Sequence, residues 1–364
     1  MISFIVPVFY KSKNSYIVQR AKEIISFFEK YKEFELIIAD ASKWHLLDSE
    51  FPNIQILNVN YKKGEFSPAI IRNLAVEKAT KKYLFFLDVD LSFSELFLDT
   101  LKSEINQQLV ENRKKFLMLP CLYLSPKGTK IYEHSKDKIE IINEFRESLL
   151  LGENKFVERL AINTSAIVLE KEYFIKIGKF SEDFFGHGGE DFEFIHRLMS
   201  LSPYFVRNEE EYYYDKVEQF PINYKGFRKY MAYYSFEYIF SDLVLVHKWH
   251  ERALMNFFYM KRNRNENLLI KKMKAYDSKH RKSAWKATNR PINYQQFLKN
   301  LLQQHGYTAD RYIGLYKYGD SVKIQRPMSA KIRKLITRPI QFFLDIKWIK
   351  KFFSWKNNTK EKVK

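Results

Sequence analysis

Two aspartates separated by a single residue, Asp88 and Asp90, are the first residues of this 364-residue chain whose types and spacing could do chemistry. They follow an unbroken apolar run, Tyr83–Leu87, which is typical of a strand buried on both faces of a parallel sheet. Side chains at positions i and i+2 of an extended segment point the same way, so two such carboxylates repel each other unless a cation lies between them. A hard divalent ion, Mn²⁺ or Mg²⁺, would suit these oxygen ligands and leave room for substrate phosphates. The alternative is two solvated carboxylates that cap the next helix.

A second candidate cluster lies in the glycine-rich segment GHGGED. Its glycines permit positive φ and a close approach of another molecule to the backbone. The segment leads into a predicted helix, whose free N–H groups favour negative charge, so Glu190 and Asp191 could serve only to stabilise the helix start. The flanking aromatic residues favour a cleft wall, in which one carboxylate is a general base for a substrate hydroxyl and the other binds the acceptor. The residues expected to line that cleft are His187, Gly188 and Gly189.

A third cluster is the pair His247 and His250. A neutral imidazole is a good ligand for a divalent ion, so one of them could complete the coordination begun by Asp90. Their spacing of three residues would place both on one face of a helix. The alternative is that each is a packed core residue.

The elements that must position these residues follow an alternating pattern in the first ninety residues. Apolar runs predict strands, and apolar spacing of three to four residues predicts helices. The resulting order, β-α-β-β-α-β, indicates an α/β fold with a mainly parallel sheet and right-handed crossovers. Pro7 is expected to mark the end of the first strand. The predicted ranges are 2–8, 15–30, 34–39, 54–59, 67–79 and 83–87.

The next residues continue this alternation less regularly. We predict helices over 94–112, 139–151 and 190–200, and an aromatic-rich helix over 227–250. Strands are predicted over 116–124 and 161–169, with a polar loop at 125–138 between them. Residues 261–290 are strongly basic and have no clear apolar period.

Composition excludes several classes of protein. Hydrophobic residues make up 46% of the chain and aromatic residues 17%, which is ample for a folded core. A single cysteine, Cys121, excludes a disulfide framework and a cysteine-ligated zinc site, and fits a reducing compartment. The apolar N-terminus is short and lacks basic residues, so it predicts a first strand and not a signal peptide. No apolar run is long enough to predict a membrane-spanning helix.

The net charge of +19 is concentrated in the C-terminal third, because residues 247–364 contain 29 Lys and Arg against 7 Asp and Glu. Such a basic region predicts a polyanionic partner surface. We divide the chain into a catalytic domain at 1–255, a basic and mostly helical appendage at 256–325, and an amphipathic tail at 326–364.

The tail interleaves cationic and aromatic residues at helical spacing, which is the pattern of a helix lying in a membrane interface. We therefore predict a cytoplasmic protein that is peripheral on the inner face of the cytoplasmic membrane, where each basic residue could contribute about 1 kcal/mol on an anionic leaflet. The alternative is a terminal helix docked on its own domain. The predicted membrane contacts are Lys347, Trp348, Lys350, Lys351 and Trp355.

Together, these motifs resemble those of the inverting, nucleotide-sugar-dependent glycosyltransferases of the GT-A fold, family 2 and its relatives, over about residues 1–255. ISFIVPVFYKS is similar to the first strand and the loop that cups the nucleotide base, and IIADAS to the second-strand motif whose acid contacts that base. SPAIIRN resembles the segment that approaches the nucleotide before Asp-x-Asp. The nucleotide-sugar contacts implied by this resemblance are Pro7, Val8, Tyr10, Asp40, Arg72, Asn73 and Asp88.

The later motifs resemble those of galactosyl- and N-acetylgalactosaminyltransferases and bacterial capsule polymerases. The resemblance implies that Asp90 and His247 bind the metal, with His247 preferred to His250. It also implies that Asp191 is the base and that Glu190 contacts the acceptor.

The resemblance implies a metal-dependent inverting transferase that moves a hexose or N-acetylhexosamine from a UDP-sugar donor to a glycan or lipid-linked glycan acceptor. Capsule or lipopolysaccharide synthesis would be its setting. One alternative is a nucleic-acid-binding protein, suggested by the basic region but lacking a recognised nucleic-acid fold signature, so no nucleic-acid partner is expected. Another is a nucleotidyltransferase, which usually has a glycine-rich phosphate loop near its first strand, where FYKSKNS has no glycine.

Overall fold

The structure is a computed structural model. It describes residues 1–60, 66–110, 116–153, 155–161, 165–203, 207, 209–216, 224–250, 262–280, 293–316, 332, 335–336 and 339–344. The five predicted membrane contacts, which begin at Lys347, lie outside the described residues. Within the described part of the chain, no helix combines the length and the apolar character needed to cross a bilayer.

The first six elements follow the predicted β-α-β-β-α-β order. Ser15 and Ser67 begin the two helices, because their side chains accept hydrogen bonds from the backbone N–H of Ile17 and Ile70. Pro68 occupies the first helical turn, where a missing N–H costs nothing. The elements are β1 (Ile2–Val8), α1 (Tyr16–Phe28), β2 (Glu35–Asp40), β3 (Ile54–Asn58), α2 (Pro68–Lys78) and β4 (Tyr83–Phe86).

Ten further elements carry the chain to the end of the glycine-rich segment. They are β5 (Leu91–Ser92), α3 (Leu96–Glu104, continued by a π-helical turn at Ile105–Leu109), β6 (Leu117–Met118), β7 (Cys121–Leu124), α4 (Pro126–His134), α5 (Lys138–Leu150), β8 (Val157–Ala161), β9 (Ile167–Glu170), α6 (Lys171–Lys176) and α7 (Glu190–Leu201).

The remaining described elements are mostly helical. They are α8 (Glu209–Tyr212), β10 (Asp215–Lys216), β11 (Lys225–Gly226), α9 (Phe227–Ala232), a 3₁₀ helix at Phe236–Phe240, β12 (Leu245–His247), α10 (Arg262–His280), α11 (Tyr294–Gln304), a 3₁₀ turn at Ile313–Leu315 and α12 (Pro339–Leu344).

The main sheet has six strands in the order β3-β2-β1-β4-β9-β6. Strands β3, β2, β1 and β4 are parallel, whereas β9 runs antiparallel to both of its neighbours. A smaller sheet has the order β5-β12-β7-β8. The predicted α/β class with a mainly parallel sheet is therefore confirmed, with β9 running antiparallel between β4 and β6.

Pro7 does not end the first strand, contrary to the prediction, because β1 continues through Val8 and pairs Pro7 with Ala39 of β2. The last pair between β1 and β4 is Ile5 with Phe86. Proline is tolerated at position 7 because β4 has by then left the ladder.

Two predicted strands are each divided between the sheets. In the predicted strand 116–124, Leu119 donates its N–H to Ala166 beside the main sheet, whereas the carbonyl of Pro120 accepts from Leu245 of the smaller sheet. The predicted strand 161–169 likewise includes the last residue of β8 in the smaller sheet and most of β9 in the main sheet. A continuous apolar stretch carries no signal for a change of sheet.

Two other predictions are wrong in type. The predicted loop at 125–138 contains α4, which begins where Ser125 accepts from the N–H of Gly128 and where Pro126 fills the first turn. The predicted helix at 227–250 holds only α9 and a 3₁₀ helix before β12. Its apolar residues near the end pair with β5 and β7 as a buried strand.

Alternating residues of the central strands divide the core into two layers. Phe4 packs in the layer that contains α1 and α3, and Ile5 packs in the layer that contains α2 and α7. Helix α10 adds Leu269 and Met273 to the second layer. Helix α11 belongs to a third cluster beneath the smaller sheet. Both helices lie beyond residue 255 and pack against elements that precede it. The domain boundaries at 255 and 325 stay predictions.

Candidate active site

The pairing of β5 with β12 brings Asp90 to the histidine pair. His247 pairs with Leu91, and the N–H of Lys248 donates to the carbonyl of Asp90 at 3.2 Å. As a result, His247 Nε2 lies 2.9 Å from Asp90 Oδ2, and His250 Nε2 lies 3.6 Å from the same oxygen. The histidines converge because they flank the end of a strand and not because they share a helix face, which corrects the predicted geometry.

Asp90, His247 and His250 form a candidate metal site, because their ligand atoms all lie within 4.8 Å of one another. Two imidazole nitrogens and one carboxylate oxygen are a donor set that divalent transition metals accept. Tyr123 stacks on His247 with the ring centroids 4.1 Å apart, and Tyr16 stacks on His250 at 4.9 Å. Both imidazole planes are therefore fixed by aromatic neighbours.

The electrostatics of this site favour an ionised carboxylate. Burial raises the pKa of Asp90, but the neighbouring His247 and His250 rings and the Arg20 guanidinium lower it, leaving it well below the usual value. Asp90 is therefore available as an anionic ligand at any physiological pH.

Asp88 faces different partners from Asp90, although only one residue separates them. Its Oδ1 accepts from Arg72 Nη2 at 2.6 Å, and its Oδ2 accepts from Ser165 Oγ at 2.5 Å. The expectation that the two aspartates hold one cation between them is thus replaced by two adjacent clusters. The extended geometry that would align the side chains is lost because β4 ends at Phe86.

Arg72 joins the end of β4 to the glycine-rich segment. Its Nη1 donates to Glu190 Oε1 at 3.1 Å while its Nη2 binds Asp88. Arg72 and Glu190 are buried, so these charge-assisted bonds are made largely out of contact with water. Residues 118 positions apart in the chain therefore belong to one site.

The glycine-rich segment places the two acids at the start of α7. Gly189 precedes the helix with φ of 111°, a conformation that side-chain-bearing residues rarely adopt. Glu190 is the first residue of the helix and Asp191 the second, where Asp191 Oδ1 accepts from the N–H of Phe192 at 2.8 Å. Gly188 and His187 are half-buried beside them.

Both acids have raised pKa values. Burial and the adjacent Asp191 raise the pKa of Glu190 to about 7, and the nearby Arg72 only partly offsets this. Burial also raises the pKa of Asp191, against the opposing effect of Arg72 and of Arg228. A carboxylate with a raised pKa is a better proton acceptor, which is the property that a general base needs.

The residues expected at the nucleotide base lie at the ends of β1 and β2. Asp40 is fully buried and binds the hydroxyl of Tyr10 at 2.9 Å and the N–H of Ser42 at 2.8 Å. Pro7 and Val8 are buried in the adjoining strand end. These four predicted residues are therefore brought together beside the carboxyl ends of the parallel strands, where open α/β sheets bind ligands.

The side chain of Asn73, another predicted nucleotide contact, binds residues of the loop that precedes the glycine-rich segment. Its Nδ2 donates to the carbonyl of Phe180 and to Glu182 Oε1, both at 3.0 Å. Its Oδ1 accepts from the N–H of Phe180 at 3.2 Å. In this arrangement, Asn73 supports the loop that leads to the glycine-rich segment.

Residues 3–275 match the family model described as "Glycosyltransferase like family 2". The chain belongs to this family. The match covers most of the chain and all of the elements that carry the site, so the predicted family is confirmed, and with it the GT-A fold.

The chain also aligns with solved structures at low sequence identity. TarS from S. aureus in complex with UDP-GlcNAc is 15% identical and has a TM-score of 0.41, with 94% of this chain and 80% of that chain covered. The mannosyltransferase PcManGT from Pyrobaculum calidifontis, in complex with GDP-Man and Mn²⁺, is 11% identical, with a TM-score of 0.37 and coverages of 93% and 81%. Another TarS structure is 17% identical with a TM-score of 0.36, and 54% of each chain is covered, so this chain spans about half the length of that one. No curated protein matches the chain in sequence.

This member of glycosyltransferase-like family 2 has two supporting residues that sequence reasoning did not single out. Asn265 of α10 is 2% exposed and donates from Nδ2 to the carbonyls of Phe185 at 2.9 Å and His187 at 3.2 Å. It therefore fixes the glycine-rich segment from outside. The second residue is Ser165, whose hydroxyl donates to the carboxylate of Asp88. A single polar residue in a basic or apolar stretch gives no signal of such a role.

Proposed function

We propose that the protein is a metal-dependent inverting glycosyltransferase that moves a hexose or N-acetylhexosamine from a UDP-sugar to a glycan acceptor. The observation that carries this proposal is the Arg72 bridge, in which one buried guanidinium binds both Asp88 and Glu190. It links the first acid that follows β4 with the first acid of α7. Family membership supports the same reaction class.

Asp90, His247 and His250 are the proposed ligands of the metal ion. Imidazole nitrogens suit transition metals better than they suit Mg²⁺, so the donor set favours Mn²⁺. When bound, a divalent ion supplies Lewis-acid stabilisation for the negative charge of the leaving diphosphate. The low pKa of Asp90 keeps this ligand charged over the working pH range.

The donor nucleotide is proposed to lie along the carboxyl ends of β1, β2 and β4. Asp40 and Tyr10 would hold the base beside Pro7 and Val8. Asp88 would contact the nucleotide near the metal, in the orientation fixed by Arg72 and Ser165. Asn73 would contribute indirectly, through the loop at Phe180.

Asp191 is the proposed general base. Its carboxylate takes the proton from the acceptor hydroxyl as that oxygen bonds to the anomeric carbon of the donor sugar. The bond from the anomeric carbon to the diphosphate oxygen breaks on the opposite face, so the configuration inverts and the nucleoside diphosphate leaves. Positioning and fixed charges provide most of the acceleration.

Glu190 is proposed to contact the acceptor. Its Oε1 is engaged by Arg72, while its buried Oε2 has no hydrogen-bond partner among the residues that the structure describes. An unpaired buried oxygen is costly, and a hydroxyl of the acceptor would satisfy it. His187, Gly188 and Gly189 would form the adjoining cleft wall.

The biological setting remains part of the proposal. A basic, aromatic tail on a cytoplasmic enzyme would suit extension of a lipid-linked glycan at the inner face of the cytoplasmic membrane, as in capsule or lipopolysaccharide synthesis. The charge distribution of the sequence supports this setting.

The experiment that tests the proposal is a panel of UDP-linked galactose, N-acetylgalactosamine, glucose and N-acetylglucosamine, scored by release of UDP with Mn²⁺, Mg²⁺ or a chelator. We expect UDP release from one or two donors, faster with Mn²⁺ than with Mg²⁺ and absent with the chelator. Asp90→Ala serves as the matched inactive variant. Equal release by Asp90→Ala, or none from any nucleotide sugar, would contradict the proposal.

A further inference from the structure

Arg20 of α1 lies behind the segment that carries both histidines. It is 7% exposed, and its Nη2 donates to the carbonyl of Trp249 at 2.9 Å and of Lys248 at 3.3 Å. These two carbonyls belong to the residues between His247 and His250. The guanidinium therefore fixes the backbone whose course decides how both imidazoles approach Asp90.

Two neighbours on the same face of α1 bind the same segment. Tyr16 lies one helical turn before Arg20 and stacks on His250, and the Arg20 guanidinium lies 4.8 Å from the centroid of the Tyr16 ring. Glu23, almost one turn after Arg20, pairs with the ammonium of Lys248. Helix α1 thus contacts the histidine segment through three side chains, with Arg20 in the middle.

The position of Arg20 is not one that stability alone explains. Its Nη1 is buried and makes no hydrogen bond to any residue that the structure describes. A buried donor without a partner costs free energy, so such a group calls for an explanation. Arg20 also places a positive charge near Asp90, where a metal cation is proposed to bind.

We propose that Arg20 is a positioning residue of the metal site, which sets the affinity for the divalent ion by holding His247 and His250 in place through the carbonyls of residues 248 and 249. The inference rests on the proposed function, because it takes Asp90 and the histidines as the ligands. Removing a group that orients metal ligands typically lowers the affinity for the metal by about 10–100-fold, and we expect a loss within this range here.

The sign of the change separates positioning from charge. A cation near the site repels the metal ion, so removing the charge of Arg20 would by itself strengthen metal binding. Removing the two carbonyl contacts would weaken it. Positioning therefore predicts that Arg20→Gln binds Mn²⁺ roughly 10-fold more weakly. Arg20→Lys keeps the charge but not the forked donor, and it should bind Mn²⁺ weakly as well.

The test is calorimetric titration of Mn²⁺ into the full-length protein, with thermal unfolding of each variant as the check on folding. The matched control is Arg146→Gln, because Arg146 also donates to two carbonyls, those of Ser241 at 2.9 Å and Ile239 at 3.5 Å. We expect Arg146→Gln to keep wild-type Mn²⁺ affinity even where it lowers the unfolding temperature as much as Arg20→Gln does.

The outcomes test this inference separately from the proposed function on which it rests. Unchanged or tighter Mn²⁺ binding by Arg20→Gln, or wild-type binding by Arg20→Lys, would overturn the positioning role. If Asp90→Ala also bound Mn²⁺ like the wild type, the proposed metal site itself would be wrong. Weaker binding by Arg20→Gln, Arg20→Lys and Asp90→Ala, with Arg146→Gln unaffected, would support both.

Discussion

At the scale of single residues, one buried guanidinium, that of Arg72, interacts with three carboxylates of the site. Arg72 is bound to Asp88 and Glu190 at once, and Asp191 lies within the electrostatic reach of the same guanidinium. Burial outweighs this attraction at Glu190, whose pKa rises to about 7 instead of falling. Glu190 is therefore expected to keep its proton up to about neutral pH.

This raised pKa predicts how stability depends on pH. Between about pH 4.5 and pH 7, native Glu190 keeps a proton that the unfolded chain has released, so the free energy of unfolding falls as pH rises through this window. Glu190→Gln cannot titrate and loses this contribution. From pH 5 to pH 8, the wild type should lose about 1–3 kcal/mol relative to Glu190→Gln in urea unfolding. Parallel pH profiles for the two proteins would show that Glu190 is ionised throughout.

The sequence predicted the types of the site residues better than their partners. Asp90, His247 and Asp191 are recognisable because motifs of charge and glycine surround them. The division of labour between Asp88 and Asp90 is not, because it depends on Arg72 and Ser165, which lie 16 and 77 positions away from Asp88. Asn73 follows Arg72 in the same helix, but its side chain binds Phe180 and Glu182 and not the acids that Arg72 binds, since neighbours on a helix face different directions.

At the scale of elements, the start of α7 is the critical junction. A Cβ atom added at Gly189 would lie 2.7 Å from the Phe184 ring, which is fully buried. Gly188 also has a positive φ, of 81°, yet nothing lies within 4 Å of its Cβ position. Comparing substitutions at these two glycines therefore distinguishes the effect of backbone strain from the effect of steric overlap.

We predict that Gly189→Ala lowers both stability and transfer more than Gly188→Ala does. Each variant pays about 1–2 kcal/mol for a left-handed conformation. Gly189→Ala should lose roughly 1–3 kcal/mol more from overpacking against Phe184, and the shift should carry Asp191 away from the acceptor. Urea unfolding and UDP release measure the two effects. Equal losses in both variants would mean that Phe184 does not constrain the segment.

Elements with a strong periodic signal were predicted closely, and those that depend on tertiary context were not. Strands β1 to β4 and helices α1, α2 and α7 lie within a few residues of their predicted bounds. Helix α4 was missed because its polar sequence hides a capped start at Ser125. Strand β12 was taken as helix because its pairing partners, β5 and β7, lie more than 100 residues earlier in the chain.

At the scale of the whole molecule, helix α10 joins the basic region to the catalytic elements. Asp277 of α10 binds His196 of α7 at 3.1 Å and Arg207 at 2.5 Å, and Asn265 fixes the glycine-rich segment. Two side chains of α10, at positions 265 and 277, therefore bind the glycine-rich segment and α7. The net positive charge of the basic region was readable from composition, whereas this supporting role was not.

The membrane prediction concerns the amphipathic tail at residues 326–364. Reversing the charge of Lys347, Lys350 and Lys351 to glutamate in the full-length protein should abolish flotation with anionic vesicles, because each basic residue contributes about 1 kcal/mol at such a surface. Neutral vesicles and a variant with three lysines of α10 reversed, at positions 271, 272 and 274, are the controls. Undiminished flotation of the tail variant would contradict a membrane role for these residues.

The most direct test of the central claim is to measure the transfer rate and UDP binding of Asp191→Asn in the presence of Mn²⁺. If the acids of α7 face the donor site across one cleft, this variant should bind UDP like the wild type while kcat falls about 10²–10⁴-fold. Wild-type turnover by Asp191→Asn would remove Asp191 as the base and would contradict the proposed mechanism, in which the acid of α7 deprotonates the acceptor.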